Sequence, residues 1–394
     1  MLKYDVVIVG GGPAGSSAAM TAARGGARVI LLEKEASIAE TVRTSGVTWI
    51  QNTKEFGIPE DCYNPVRNFG FVSPNNEVII RDTEPRAAVL DVRKTYRWLA
   101  KQAQDAGAEI RTGTSVTGVI KNSNGSIAGV CAGSEEFYSK MVIDASGFSS
   151  VICKEMGIAG QWEHFGAGAE YEAEVETVDP ETWWLMVGEA YSPAGYAWIF
   201  PLGGSMVRIG VGVGKPESDA DPRQILDELV ESRAGPIKKL GKIIPKEFHY
   251  GLIPNDGLTR KTVFENLMLV GDSAGQANPL VLEGIRYAIR FGRNAGSLAA
   301  KATRLGRTDR DSLYEYERKW RGEIESKINS ARKIQSRWIA LSDDGWDREL
   351  DIIRELEPEE FLDFIRADFG LGHMIRLAVH HPKLAVRQLF GMIR

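Results

Sequence analysis

Residues 4–35, YDVVIVGGGPAGSSAAMTAARGGARVILLEKE, constrain the fold of this 394-residue chain more than any other stretch. DVVIVG is a continuous, largely β-branched apolar run of the kind that forms a parallel strand buried on both faces. Gly10, Gly12 and Gly15 follow it as GxGxxG, and SSAAMTAARGG reads as a small-residue helix ending at glycine. ARVILLE is a second strand with Glu33 at its end, 18 residues past Gly15. Each part has a mechanical reason. Gly10 permits a tight turn, Gly12 lets the backbone approach a pyrophosphate, and Gly15 lets helix and strand pack closely. The helix N-terminus, at Pro13 and Ala14, offers free N–H groups and a positive dipole end to phosphates. Glu33, with Lys34 beside it, is placed to accept hydrogen bonds from a ribose 2′-OH. Strand, turn, helix, second strand and terminal acid agree, so the stretch is expected to hold a dinucleotide.

Three later stretches bear on which dinucleotide. NLMLVGDSAGQANPLVLEGIRYAIRFGRNAG (266–296) has the form strand, Gly271-Asp272, turn, helix. A carboxylate at such a strand end reaches a polyol chain such as ribitol. The helix starting near Glu283 or Gly284 and continuing through Ile285 would aim its positive end at the electron-rich edge of an isoalloxazine. MVIDASGFSSVICKEMG (141–157) is another buried strand, ending at Asp144 and followed by Gly147. LDVRKTYRWLAKQAQDAG (90–107) is an amphipathic helix preceded by Arg93.

In their order along residues 4–296 these stretches resemble the FAD-containing oxidoreductases of the p-hydroxybenzoate-hydroxylase-like superfamily. The resemblance implies FAD as cofactor, with Gly10, Gly12, Gly15 and Glu33 on its ADP half. It places Arg93 and Asp144 in the flavin-side motifs and Asp272 on the ribitol. GVGVGKPES (210–218) lacks the last glycine of a second fingerprint and runs into proline. Electrons are therefore expected from transient NAD(P)H, a ferredoxin or another carrier.

The implied fold class is α/β. A Rossmann-like FAD-binding domain is expected from residues 1–55, 86–160 and 258–304. An inserted, mainly antiparallel β-sheet substrate domain takes 56–85 and 161–257, and a C-terminal helical region takes 305–394. NFGFVSPNNEVIIRD (68–82) reads as a hairpin with a Pro-Asn-Asn turn. Alternating runs between 165 and 214 supply the remaining strands.

One of those runs is GYAWIFP (195–201), where Tyr196, Trp198 and Phe200 share a face and Pro201 closes the run. The bland reading is core packing. SPAGYAWIFPLGG, however, closely resembles the geranylgeranyl reductase family, in which a YxWxFP motif lines the prenyl-substrate cavity. That resemblance implies saturation of isoprenoid double bonds in archaeal-type lipids, prenyl diphosphates or quinone side chains. Tyr196, Trp198, Phe200 and Pro201 become substrate-pocket positions. The proton donor stays open among Tyr196, water and the flavin. Two departures stand out. Many members carry RCGEG where residues 43–47 read RTSGV, so Arg43 matches while Thr44 replaces the cysteine. The family's Pro-x-x-Gly-x-Gly-Ile is PLVLEGI here, with Leu282 in place of the first glycine, which alters the pocket.

Two rival functions share these motifs. YAWIFP partly matches the WxWxIP of flavin halogenases, although no lysine for hypohalous acid is identifiable; a monooxygenase would use the same FAD domain. A flavin electron carrier is the third reading. A net charge of −5 leaves no footprint for nucleic acid. Cys62, Cys131 and Cys153 are scattered, which argues against a metal site or a disulfide framework. With no signal-peptide pattern read at the N-terminus, the expected location is the cytoplasm, including a peripheral position on the inner membrane face. LGHMIRLAVHHPKLAVRQLFGMIR (371–394) has Arg376, Lys383, Arg387 and Arg394 and no acid. It reads either as a helix pair packed on the protein or as a contact for anionic lipid.

Overall fold

The computed structural model describes residues 2–158, 161–368 and 379. The first apolar run becomes the strand Leu2–Val9, with Val6, Val7 and Ile8 fully buried. It lies between Glu135–Asp144 and Val29–Leu32 and runs parallel to both. Leu267–Leu269 extends this sheet beyond Glu135–Asp144, and Glu109–Arg111 extends it beyond Val29–Leu32. Helix Pro13–Arg24 connects the first two strands and packs on helix Ile285–Leu305. A Cβ added at Gly292 or Gly296 would lie 2.4 and 2.1 Å from the backbone oxygens of Ala14 and Ala18. The backbones nearly touch, which is why both helices are rich in small residues at this contact.

A seven-stranded sheet is built from Ile243–Pro254, Phe165–Val175, Met206–Lys215, Tyr196–Gly203, Thr182–Val187, Asn68–Ser73 and Asn76–Arg81, in that spatial order. All neighbours are antiparallel except Thr182–Val187 with Asn68–Ser73, which are parallel. Alternation divides its residues between two faces. Ala169, Ile199, Ile209 and Val211 pack against Leu226 and Leu229 of helix Pro222–Glu231. The other face looks toward the strand ends of the first sheet, and the site lies between them.

A small antiparallel sheet of Val47–Trp49, Ala87–Leu90 and Tyr63–Val66 forms a third unit. The expected boundaries at 55/56 and 85/86 run through it, because it pairs residues from both sides. These strands are only three or four residues long, too short for a periodicity to register.

The charged region after residue 305 forms helix Arg310–Ile339, followed by Asp343–Arg354 and Pro358–Ile365. The long helix buries Trp320, Ile324 and Ile328 in the core of the first sheet, then Ala331 and Trp338 in the aromatic core of the second. It ties the two together. Asp347 then accepts hydrogen bonds from Ser73 and from the Asn75 backbone, anchoring the short helices over the hairpin. The basic stretch 371–394 lies outside the described residues apart from Val379. No described helix is long and apolar enough to cross a membrane.

Candidate functional site

A continuous cavity of about 590 Å³ runs from the glycine turn to the aromatic face of the seven-stranded sheet. At its nucleotide end the three glycines divide the work. Gly10 has φ +104°, and a Cβ there would lie 2.4 Å from the Ala145 carbonyl oxygen; at Gly15 it would lie 1.9 Å from that of Gly10. Those two serve close packing. Gly12 lines the cavity, and a Cβ added to it would meet nothing within 4 Å. Open space therefore stands before the N-terminus of helix Pro13–Arg24, a cradle that fits a pyrophosphate. Pro13 and Ala14 line it too.

Glu33 lines the same end, its carboxylate fixed by the Gly11 N–H at 2.6 Å and the Glu35 N–H at 2.9 Å. Lys34 follows it on the wall. Arg43 lines the cavity and pairs with Glu35, while the Thr44 hydroxyl accepts the Gly46 N–H at 3.4 Å. Gly147, Gly271, Asp272, Gly284 and Ile285 complete this part of the lining. Asp272 faces inward, and burial pushes its carboxyl up to about 6.

Two expected flavin-side residues stand behind the wall. Asp144 is fully buried, and its carboxylate accepts the N–H groups of Ser146 (3.0 Å), Ile152 (3.1 Å) and Cys153 (3.3 Å). It shapes the turn that presents Gly147. Arg93 sits in the first turn of helix Val92–Asp105 rather than before it, because Asp91 caps that helix through the Lys94 N–H. Its guanidinium holds the carbonyls of Ala39 and Glu40 and pairs with Glu247 at 2.7 Å. Neither side chain lines the cavity, and neither does Gly15 or Pro201. Sequence motifs mark positions required by a site, including those that act through the backbone they brace.

The loop before helix Ile285–Leu305 is closed by Asn278 and Glu283, which exchange backbone hydrogen bonds of 2.8 and 3.2 Å. Leu282 takes φ +48°, the left-handed conformation that suits a glycine, at a cost of about 1–2 kcal/mol. Its side chain lines the cavity and covers Gly166 so closely that a Cβ there would lie 2.3 Å from Leu282 Cδ1. Gly166→Ala is expected to drive this isobutyl group into the cavity. The cost is about 1–3 kcal/mol, read as FAD affinity at least roughly fivefold weaker. Adding Leu282→Ala should recover most of the loss, and additive losses in the double variant would refute the contact.

Tyr196, Trp198 and Phe200 all line the cavity. The Tyr196 hydroxyl donates to the Val281 carbonyl at 2.7 Å, and burial pushes its ionisation upward. Tyr196 thus ties the sheet to the loop before helix Ile285–Leu305. Trp198 and Phe200 stack at 5.9 Å with planes 13° apart, and Trp183 lies beside Phe200 at 5.7 Å. Across the sheet, Leu185, Trp198, Gly210, Glu170 and His249 are directly opposite one another in turn. Gly210 has no side chain because Trp198 occupies its place; a Cβ there would lie 2.3 Å from the indole. The indole lies across this glycine and donates its N–H to Glu170 at 3.1 Å. Core packing and cavity lining are one role here, since the same rings do both.

Sequence reasoning missed three contributors. Gly210 and Gly212 of GVGVG form the floor under Trp198, a role visible only once the strand stands beside GYAWIFP. Glu170 and His249 line the cavity although both are nearly sealed from solvent. The alternation in GAGAEYEAEV would ordinarily put such glutamates outside, so period alone misleads. Trp338, Trp346 and Ile365 from the C-terminal helices close the apolar end. No cysteine lines the cavity, and burial pushes the thiols of Cys62, Cys131 and Cys153 upward, the last to about 11.

Comparison with known proteins agrees with this geometry. Residues 3–325 match the family model described as FAD binding domain. The digeranylgeranylglycerophospholipid reductase 2 of Methanothermobacter thermautotrophicus is 32% identical over 371 residues, covering 91% of this chain and 93% of its own. A geranylgeranyl bacteriochlorophyll reductase-like protein from Thermoplasma acidophilum superposes with a TM-score of 0.86 at 26% identity, covering 99% of both chains. A flavin-dependent brominase shares the fold at a TM-score of 0.68 and 21% identity, covering 93% of this chain and 94% of its own. With its glycine cradle, its inward-facing aspartate and its YxWxFP wall, the chain belongs to the FAD-binding geranylgeranyl reductase family.

Proposed function

We propose that this protein saturates carbon–carbon double bonds of geranylgeranyl-type chains, drawing on a digeranylgeranylglycerophospholipid-like lipid as substrate. The observation that carries the reading is the continuity of one cavity from the dinucleotide cradle to a wall of Tyr196, Trp198, Phe200 and Trp183. FAD, once reduced, supplies hydride. The chain's own residues do the rest. Gly12 and the following helix seat the pyrophosphate, Glu33 the ribose, and Asp272 the ribitol. Leu185, Trp338 and Trp346 hold an apolar chain in register and exclude water. An isolated alkene has no carbonyl to polarise, so positive charge would develop on the tertiary carbon as the proton joins its neighbour, and hydride would then be taken up at that tertiary carbon. The faces of Trp198 and Phe200 are suited to stabilise that charge.

The halogenase reading is disfavoured by a specific feature. Among the described residues the only lysine on the cavity wall is Lys34, at the nucleotide end. With no second dinucleotide fingerprint in the chain, the electron donor is read as NAD(P)H, a ferredoxin or another carrier that docks transiently. The basic segment 371–394 is read as a contact with anionic lipid, which suits a substrate resident in a membrane.

The decisive experiment is anaerobic. Chemically reduced enzyme mixed with a geranylgeranyl lipid should return to its oxidised yellow form, and the lipid should gain the mass of H₂ for each bond reduced. A monooxygenase does nothing under these conditions, because its flavin must first meet O₂. An unchanged lipid, together with O₂-dependent turnover of an aromatic compound, would sink the reductase reading.

A further inference from the structure

On the cavity face of the seven-stranded sheet the aromatic wall ends in a buried polar knot. Glu170 accepts the Trp198 indole N–H on Oε2 and holds His249 Nδ1 on Oε1 at 3.0 Å. The two residues are 3% and 2% exposed, and both line the cavity. Arg208, also 2% exposed, lies with Nε 3.6 Å from Glu170 and Nη2 3.2 Å from Glu172. Its Nη1 donates to the carbonyls of Ser45 and Leu90 at 2.8 and 2.9 Å. One guanidinium therefore serves two carboxylates, and the knot is one positive charge short.

The knot has an outlet. His249 Nε2 is buried without a hydrogen-bond partner and lies 3.5 Å from Glu247 Oε1. The Glu247 side chain is 40% exposed. Its hydrogen bonds from Arg93 hold its carboxyl below the usual range, so it stays ionised at the solvent end of the knot. The groups around His249 are then Glu170 and Glu172 from Phe165–Val175, Arg208 from Met206–Lys215, Glu247 on its own strand, and, through Glu247, Arg93 from helix Val92–Asp105. A knot made only for packing has no need to span from solvent to an apolar channel.

We infer that Glu170 and His249 supply the proton that joins the second alkene carbon, and that Glu247 refills them from solvent. This rests on the reductase reading. The π bond breaks as one carbon takes hydride from reduced flavin and the other takes the proton. The flavin loses two electrons, the pair is left one proton short, and solvent returns it past Glu247. Tyr196, committed to Val281, is not required.

The test uses the full-length, FAD-loaded enzyme. His249→Gln preserves a hydrogen-bonding side chain but holds no exchangeable charge. Anaerobic oxidation of its reduced form by geranylgeranyl lipid should slow about 100-fold or more. The wild-type pH dependence and solvent isotope effect on that step should disappear. Its affinities for FAD and, when oxidised, for the lipid should stay within about twofold, since neither contact is removed. Glu247→Gln should leave the first turnover intact and slow later ones, and it carries the test if His249→Gln does not fold. In flavin-free protein, the ¹⁵N signals of the His249 ring should follow bulk pH; signals fixed throughout the folded range would overturn the relay. So would wild-type rates and pH profiles in both variants. A wild-type enzyme that leaves every prenyl lipid unchanged would instead bring down the reductase reading, and this inference with it.

Discussion

Trp198→Ala is expected to reduce prenyl reduction about 100-fold while FAD remains bound. The indole covers Gly210, stacks on Phe200 and donates to Glu170. Its removal empties the wall at the junction between cofactor and substrate, where a loss of alignment of about 1 Å costs on the order of 10²-fold in rate. The glycine floor has no side chain to fill the gap, so stability should also drop by about 3–5 kcal/mol. Trp198→Phe separates the two effects. It keeps a ring on the floor but leaves Glu170 without the indole donor, and should retain most of the stability. Rates measured under anaerobic single turnover, alongside the visible flavin spectrum, check both variants. Loss of flavin from Trp198→Ala would show that the ring belongs to the cofactor's site instead.

Asp272→Ala should have the opposite signature, with FAD affinity falling roughly 10–100-fold and activity lost with it. That range follows from about 1.5–3 kcal/mol for hydrogen bonds to a charged acceptor. A pH effect accompanies it. Burial raises the Asp272 carboxyl from 3.8 to about 6 in the cofactor-free fold. Its contribution to stability is therefore fully present below pH 3.8 and is lost as pH rises through about 6, where the buried group must ionise. Hydroxyl groups of a bound ribitol chain would offset that ionisation. The difference in Tm between FAD-loaded and FAD-free protein should thus widen between about pH 4 and pH 7. In Asp272→Asn the widening should vanish, and its persistence there would assign the pH dependence to another group.

The cofactor half of this protein is legible in its sequence because its requirements are local. A pyrophosphate on a helix N-terminus needs a strand, a tight turn and small residues within one short stretch, and residues 4–35 contain them all. The same holds for Asp272, whose position at a strand end is written in its neighbours. The aromatic strand was legible in part. Period two places Tyr196, Trp198 and Phe200 on one face, and family resemblance says what that face meets.

The rest was decided between strands. Arg93 and Asp144 are marked by motif, but only their partners show that they brace backbone behind the wall. Leu282 departs from the family's glycine, and the fold shows the consequence: a strained backbone whose side chain covers Gly166. Glu170 and His249 are 79 residues apart, and nothing within either segment announces the other. Alternation gives each residue a face but cannot say which face is solvent. That choice was made when helix Pro222–Glu231 covered the alanine and valine side of the sheet. The glutamate side was left to close over the cofactor cavity, where a buried carboxylate persists only with donors such as Trp198 and His249 beside it.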